Sequence, residues 1–124
     1  MSTPEIRLLS IDFDCLDPHE PARFYSSALD LPVLYSSDDF VLLGREGAPG
    51  LGFIRQADFR PPTWPDPAQG KQAHPELSVD DLDAAQERML ALGATVPSFQ
   101  PRPDAWRVLL DPAGHPFCLA KHGI

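Results

Sequence analysis

The chain states one pattern twice. Ser10 to Val33 reads SIDFDCLDPHEPARFYSSALDLPV, and His74 to Val96 reads HPELSVDDLDAAQERMLALGATV. Each copy is an alternating strand, an acidic turn, a helix and the start of a further strand. In each, the leading residue stands seven positions before an aspartate: Ser10 before Asp17, His74 before Asp81. A repeat of this length implies two copies of one supersecondary unit packed together. With 124 residues, the chain fits one domain and is too short for two independent ones. The expectation is a single domain over 1–124, with module one at about 6–57, a linker at 58–73 and module two at about 74–121.

Local patterns fill in the modules. Ile6 to Cys15 alternates as a half-buried strand, with Ile11 and Phe13 on one face and Ser10, Asp12 and Asp14 on the other. Asp17-Pro18-His19-Glu20 supplies an N-cap, a proline at the first helical position and a glutamate at the third, which predicts a helix to about Leu29. Leu31 to Tyr35, Phe40 to Gly44 and Leu51 to Gln56 read as strands, divided by SSDD and by the glycine-rich GREGAPG. That glycine-rich segment joins strands and opens no helix, so it is a hairpin rather than a phosphate cradle. Asp58 to Gln72 carries four prolines (Pro61, Pro62, Pro65, Pro67) with Phe59 and Trp64, a composition that neither a helix nor a central strand tolerates. The second module then predicts a strand at His74 to Val79, a helix from about Asp83 to Leu92, and strands near Ala94 to Ser98, Trp106 to Leu110 and Pro116 to Lys121. Asp111-Pro112-Ala113-Gly114 closes the last hairpin.

Charge excludes some functions. A formal net charge of −8 gives no basic excess to neutralise phosphates, so a nucleic-acid partner is not expected, while a cationic ligand is permitted. No apolar run reaches the length of a membrane span, and MSTPEIR is not an export segment; a cytoplasmic protein is expected. Two cysteines, Cys15 and Cys118, make neither a disulfide framework nor a zinc motif by themselves.

The paired βαβββ pattern, the phrases ARFYSSALDL and VDDLDAAQERMLALGA, the linker RPPTWPDP and the closing DPAGHPFCLA resemble the glyoxalase/bleomycin-resistance/extradiol-dioxygenase proteins, the vicinal oxygen chelate superfamily. The resemblance covers nearly the whole chain. It implies an α+β fold in which two βαβββ modules form a cupped mixed sheet around a cavity for a small-molecule ligand, and a homodimer. It also implies a divalent metal held from the start of each module's first strand and from each module's last strand. Those positions fall on Ser10, Gly52, His74 and Cys118. Only His74 is a common ligand there, so most of the usual ligand set is absent.

Strand parity widens the candidate site. If His74 faces the cavity, Glu76 and Ser78 do too, and Asp12 and Asp14 accompany Ser10. A His74, Glu76 and Asp12 cluster suits an unusual metal site, a general acid/base set or a cationic ligand. Against these stands a His74 that is only a hydrogen-bonded structural residue. Cys118 is read as a small buried apolar residue and Cys15 as core. His19, His115 and His122 are read as surface residues, and Asp17, Asp81 and Asp83 as helix-start residues. Trp64 and Phe59 either form a lid or pin the linker; Trp106 and Tyr35 either line the cavity or fill the core. Two functions follow: a lyase or isomerase, or a dioxygenase-like enzyme, using His74 with Glu76 as its partner; or a non-catalytic protein that sequesters a drug.

Overall fold

The computed structural model describes residues 8–66, Ala68 and residues 73–121. Expectations for Ile6, Arg7, Pro67 and His122 lie outside the described residues. The chain divides into two compact units, Met1–Ala57 and Asp58–Ile124. The described residues of the proline-rich stretch fall within the bounds of the second unit.

The first unit runs β1 (Ser10–Cys15), α1 (His19–Leu29), β2 (Val33–Ser36), β3 (Phe40–Leu43) and β4 (Gly50–Arg55), giving one mixed sheet in the order β1-β4-β3-β2. β1 and β4 are parallel, and the other pairings are antiparallel. Of the face expected to be apolar in β1, Cys15 is buried and Phe13 half-buried while Ile11 is 49% exposed, and the rings of Phe13, Phe53 and Tyr25 stack in series at 5.9 and 5.5 Å. Phe24, Tyr25, Leu43 and Phe53 complete this core. The start of α1 differs by one position from the sequence expectation. Pro18 precedes the helix already in helical geometry, and Asp17 caps from one step farther back, its Oδ1 accepting the His19 N–H at 3.0 Å.

The second unit runs β5 (Glu76–Val79), α2 (Leu82–Ala91), β6 (Trp106–Leu110) and β7 (Pro116–Lys121), with sheet order β5-β7-β6. Its topology repeats the first, since β5 and β7 are parallel as β1 and β4 are. Asp81 caps α2 by accepting the Ala84 N–H at 3.1 Å. The expected strand at Ala94 to Ser98 is a correction: only Thr95 pairs there, in an isolated bridge with Leu110. Pro97 has no N–H to extend such a ladder. The side chain of Gln100 does the pairing instead, donating to the Val108 carbonyl at 2.8 Å and accepting the Val108 N–H at 2.9 Å. Both outer-edge groups of Val108 are thereby satisfied by one amide.

Phe59, Pro61 and Trp64 of the proline-rich stretch pack against other residues of this unit. Pro61 lies so close to Gly114 that a β-carbon there would sit 2.6 Å from Pro61 Cβ, and Gly114 also has φ +92. Phe59 meets the ring of His115 at 5.1 Å and Trp64 meets Phe99 at 5.6 Å. His115 is accordingly half-buried, which corrects its reading as a surface residue. Asp111 is 5% exposed and holds the turn by accepting the N–H groups of Ala113 and His115 at 2.9 and 3.0 Å.

Candidate functional site

Pro75 cannot donate to a ladder, so β5 begins only at Glu76, but the Pro75 carbonyl accepts the Cys118 N–H at 2.9 Å. Pairing with β7 thus extends toward His74. His74 and Glu76 are two residues apart on extended chain and share a face. Glu76 stands directly opposite Cys118, and Cys118 directly opposite Val108. Side chains opposite each other across a ladder also share a face. Sequence alternation and strand register together therefore bring three residues to one spot. A donor atom from each of His74, Glu76 and Cys118 lies within 4.8 Å of the others.

The three differ in exposure. His74 Nε2 is 2.8 Å from Glu76 Oε2, with the two side chains 29% and 55% exposed, while Cys118 is 2% exposed. A buried thiol forms the floor, and an imidazole and a carboxylate face outward. The carboxylate accepts from the ring nitrogen and fixes the ring's orientation. A pair of this kind exchanges protons with a small molecule bound against it. Farther along the same face the register aligns Ser78, Ala120 and Trp106. Ser78 is exposed and Trp106 half-buried, so the face continues as a hydroxyl and an aromatic ring on either side of Ala120.

The first unit carries the same arrangement with other chemistry. Asp12 stands opposite Gly52 as Glu76 stands opposite Cys118. The Ser10 hydroxyl donates to Asp12 Oδ1 at 2.8 Å. A β-carbon on Gly52 would lie 2.1 Å from that same oxygen and 2.9 Å from Phe40 Cε1, so the Asp12 carboxylate rests over Gly52. Asp14 follows two residues on, exposed and opposite Ile54. This copy offers oxygen only, without imidazole or thiol.

Within the first unit Asp12 groups with Ser10 over Gly52, and within the second Glu76 groups with His74 and Cys118. Cys118 is as buried as expected yet belongs to the polar cluster, because β7 is the central strand of its sheet and is covered while its neighbour Glu76 is not. The signal lay in the internal repeat, whose register predicts the Glu76 and Cys118 pairing once the parallel strands are aligned. Trp64 meets Phe99 in a tilted ring contact, and Tyr35 is 49% exposed on the edge strand β2. An open hollow of about 370 Å³ lies at the start of α2, lined by Asp80, Asp81, Asp83, Asp104, Arg107 and Lys121 among others. Arg107 pairs with Asp83 at 2.8 Å, so part of this acidity is neutralised in place.

The donor types at His74, Glu76 and Cys118 are those that a borderline divalent metal takes. If such an ion binds, those three residues would hold it, and it would supply Lewis-acid polarisation of a bound oxygen.

A family model for a glyoxalase-like domain matches residues 10–120. The chain belongs to the glyoxalase-like domain family. Solved structures agree in fold. A fosfomycin resistance protein from Listeria monocytogenes is similar with a TM-score of 0.69 at 17% identity, covering 98% of this chain and 97% of that one. A glyoxalase/bleomycin resistance protein/dioxygenase family enzyme from Burkholderia phytofirmans gives 0.68 at 20%, covering 94% and 98%. A lactoylglutathione lyase from Agrobacterium tumefaciens gives 0.58 at 18%, covering 97% and 96%. No curated protein matches the sequence. At these identities the structural likeness establishes the fold of this glyoxalase-like chain and not its substrate. No helix among the described residues is long and apolar enough to cross a membrane.

Proposed function

We propose that this glyoxalase-like chain binds a small molecule on the face that carries His74, Glu76, Ser78, Cys118 and Trp106, and acts on it as a lyase or isomerase. The supporting observation is the 2.8 Å pair of His74 Nε2 and Glu76 Oε2 above Cys118. In this reading His74 transfers the proton, Glu76 orients the ring, and Trp106 gives the substrate an apolar surface. Both units serve one domain, and two chains form a homodimer. The exposed apolar residues Val33, Leu34 and Tyr35 on β2, at the edge of the first sheet, support that assembly.

A second reading is non-catalytic sequestration of a small molecule. Its support is the first unit, where Ser10, Asp12 and Gly52 repeat the register without a nitrogen or sulfur donor. One experiment separates the two. Wild type and His74→Ala are titrated by calorimetry with fosfomycin, S-lactoylglutathione and a panel of small electrophiles, and each mixture is then analysed by mass spectrometry. Binding that weakens at least tenfold in a folded His74→Ala protein supports the site. Chemical change of the bound compound supports the enzyme, and an unchanged compound supports sequestration. Equal binding by both proteins would remove this face from consideration.

A further inference from the structure

We infer that the Cys118 thiol is the nucleophile of this face, and that it isomerises a neutral α,β-unsaturated ketone or aldehyde by adding to it and leaving again, with His74 carrying the proton. This rests on the reading of that face as the functional site, and it names the attacking atom and the class of substrate.

Juxtaposition carries the inference. A nucleophilic thiol is recognised by a base within reach and by a third group that orients the base. Here a nitrogen of His74, an oxygen of Glu76 and the sulfur of Cys118 lie within 4.8 Å of one another, and Glu76 Oε2 holds the ring through its 2.8 Å contact with His74 Nε2. With the Nε2 N–H donated to Glu76, the neutral ring keeps Nδ1 as its proton acceptor. The spacing is that of a resting site, looser than the about 2.6–3.2 Å of a working hydrogen bond, and rotation of the imidazole closes it. Cys118 stays fixed, because β7 is flanked by β5 and β6 and the ladder holds its backbone from both sides. At 2% exposure its sulfur is shielded from bulk reagents. Reaction is thereby confined to a molecule already seated against His74 and Glu76, whose side chains, 29% and 55% exposed, mark the open side.

Register sets the charge of the substrate. The cationic residues of these strands, Arg107 and Lys121, align with Leu77, Leu119 and Val79 on the opposite face. Neither strand cation therefore meets the ligand, and Glu76 repels a carboxylate or phosphate, so a neutral molecule is selected. Trp106, one row along the same face, offers a conjugated plane an apolar surface. The thiolate is the attacking form. His74 takes the S–H proton, sulfur bonds to the β-carbon of the substrate, and the π pair of the double bond moves through to the carbonyl oxygen. The enolate then takes the proton back from His74 at its α-carbon. The former double bond is now single and rotates. The same steps in reverse expel the thiolate and restore the double bond in the other geometry. No atom is gained or lost and no oxidation state changes, so the step needs no co-reactant. In the first unit Gly52 holds the register position of Cys118, so one reacting thiol per chain is expected.

The test uses the full chain and cis-benzalacetone, a neutral aryl enone. Wild type should convert it to the trans isomer. Borohydride added during turnover should reduce the ketone of the adduct, block elimination and leave the label on the Cys118 peptide. Cys15, whose thiol belongs to the first unit and meets the Ile54 carbonyl, should stay unlabelled. Isomerisation should vanish in Cys118→Ala and slow at least tenfold in His74→Ala, where added imidazole should restore part of the rate. A wild type that gives no Cys118 adduct, or isomerisation that persists in Cys118→Ala, would overturn the inference. Should Cys118→Ala not fold, the peptide map of the wild type decides alone: a label on Cys118 supports the thiol step, and a label elsewhere or none refutes it. An adduct that forms equally fast in folded His74→Ala would also refute it, because the base would then have no part. Calorimetric binding of benzalacetone that depends on His74, without an adduct, would reject the nucleophile and keep the face. Labelling of Cys118 by an enone whose binding ignores His74 would reject both.

Discussion

Gly52 shows how one missing side chain defines half of the repeat. Its flat surface receives the Asp12 carboxylate, and a methyl group there would overlap Asp12 Oδ1 and crowd Phe40. Gly52→Ala should destabilise the protein by about 1–3 kcal/mol, the usual range for overpacking a close contact. The cost should shrink, without disappearing, in an Asp12→Ala background, because Phe40 is still crowded. Chemical denaturation of the four members of that cycle reads the coupling directly. Cys118 is the counterpart of Gly52 by register and is the residue whose role was hardest to read from the sequence. A small apolar-looking residue in a covered strand signals core by composition alone. The family resemblance set it at a ligand position with His74, and its pairing opposite Glu76 makes it the floor of a polar cluster.

At the level of elements, the two copies use different devices at the same place. The first unit completes its sheet with β2, while the second ends its sheet at β6 and closes the edge with the Thr95 bridge and the Gln100 amide. Gln100 also donates to the Pro97 carbonyl at 3.0 Å, which ties its own loop to the strand. Gln100→Ala should therefore cost about 1–3 kcal/mol through the backbone groups of Val108 left without partners. It should also bare a strand edge, so increased light scattering on heating is expected together with the lower unfolding midpoint. If stability and scattering both match wild type, the amide is not what closes that edge. The helices and most strands were legible because caps, prolines and alternation are local signals. The strand expected at Ala94 to Ser98 failed because its apolar spacing was local as well, whereas Pro97 and a distant-acting glutamine decided what could pair.

For the whole molecule, the excess of acidic residues and the exposed edge at β2 act in opposite directions on assembly. A net charge of −8 opposes association, while Val33, Leu34 and Tyr35, each about half exposed, favour it. The proposed homodimer should appear in sedimentation equilibrium as a species of twice the 13.6 kDa chain mass. It should strengthen with salt, which screens the repulsion, and dissociate in Leu34→Glu. A single-chain mass at all salt concentrations would remove the dimer from the proposal. The sequence by itself determined the repeat, the order of elements, the acidic balance and the face on which His74, Glu76 and Ser78 lie, since these depend on composition and on the two-residue period of extended chain. Tertiary structure alone decided that donor atoms of His74, Glu76 and Cys118 converge within 4.8 Å of one another and that Asp12 lies over Gly52, because parallel strands are aligned by packing across long connections and not by any neighbour along the chain.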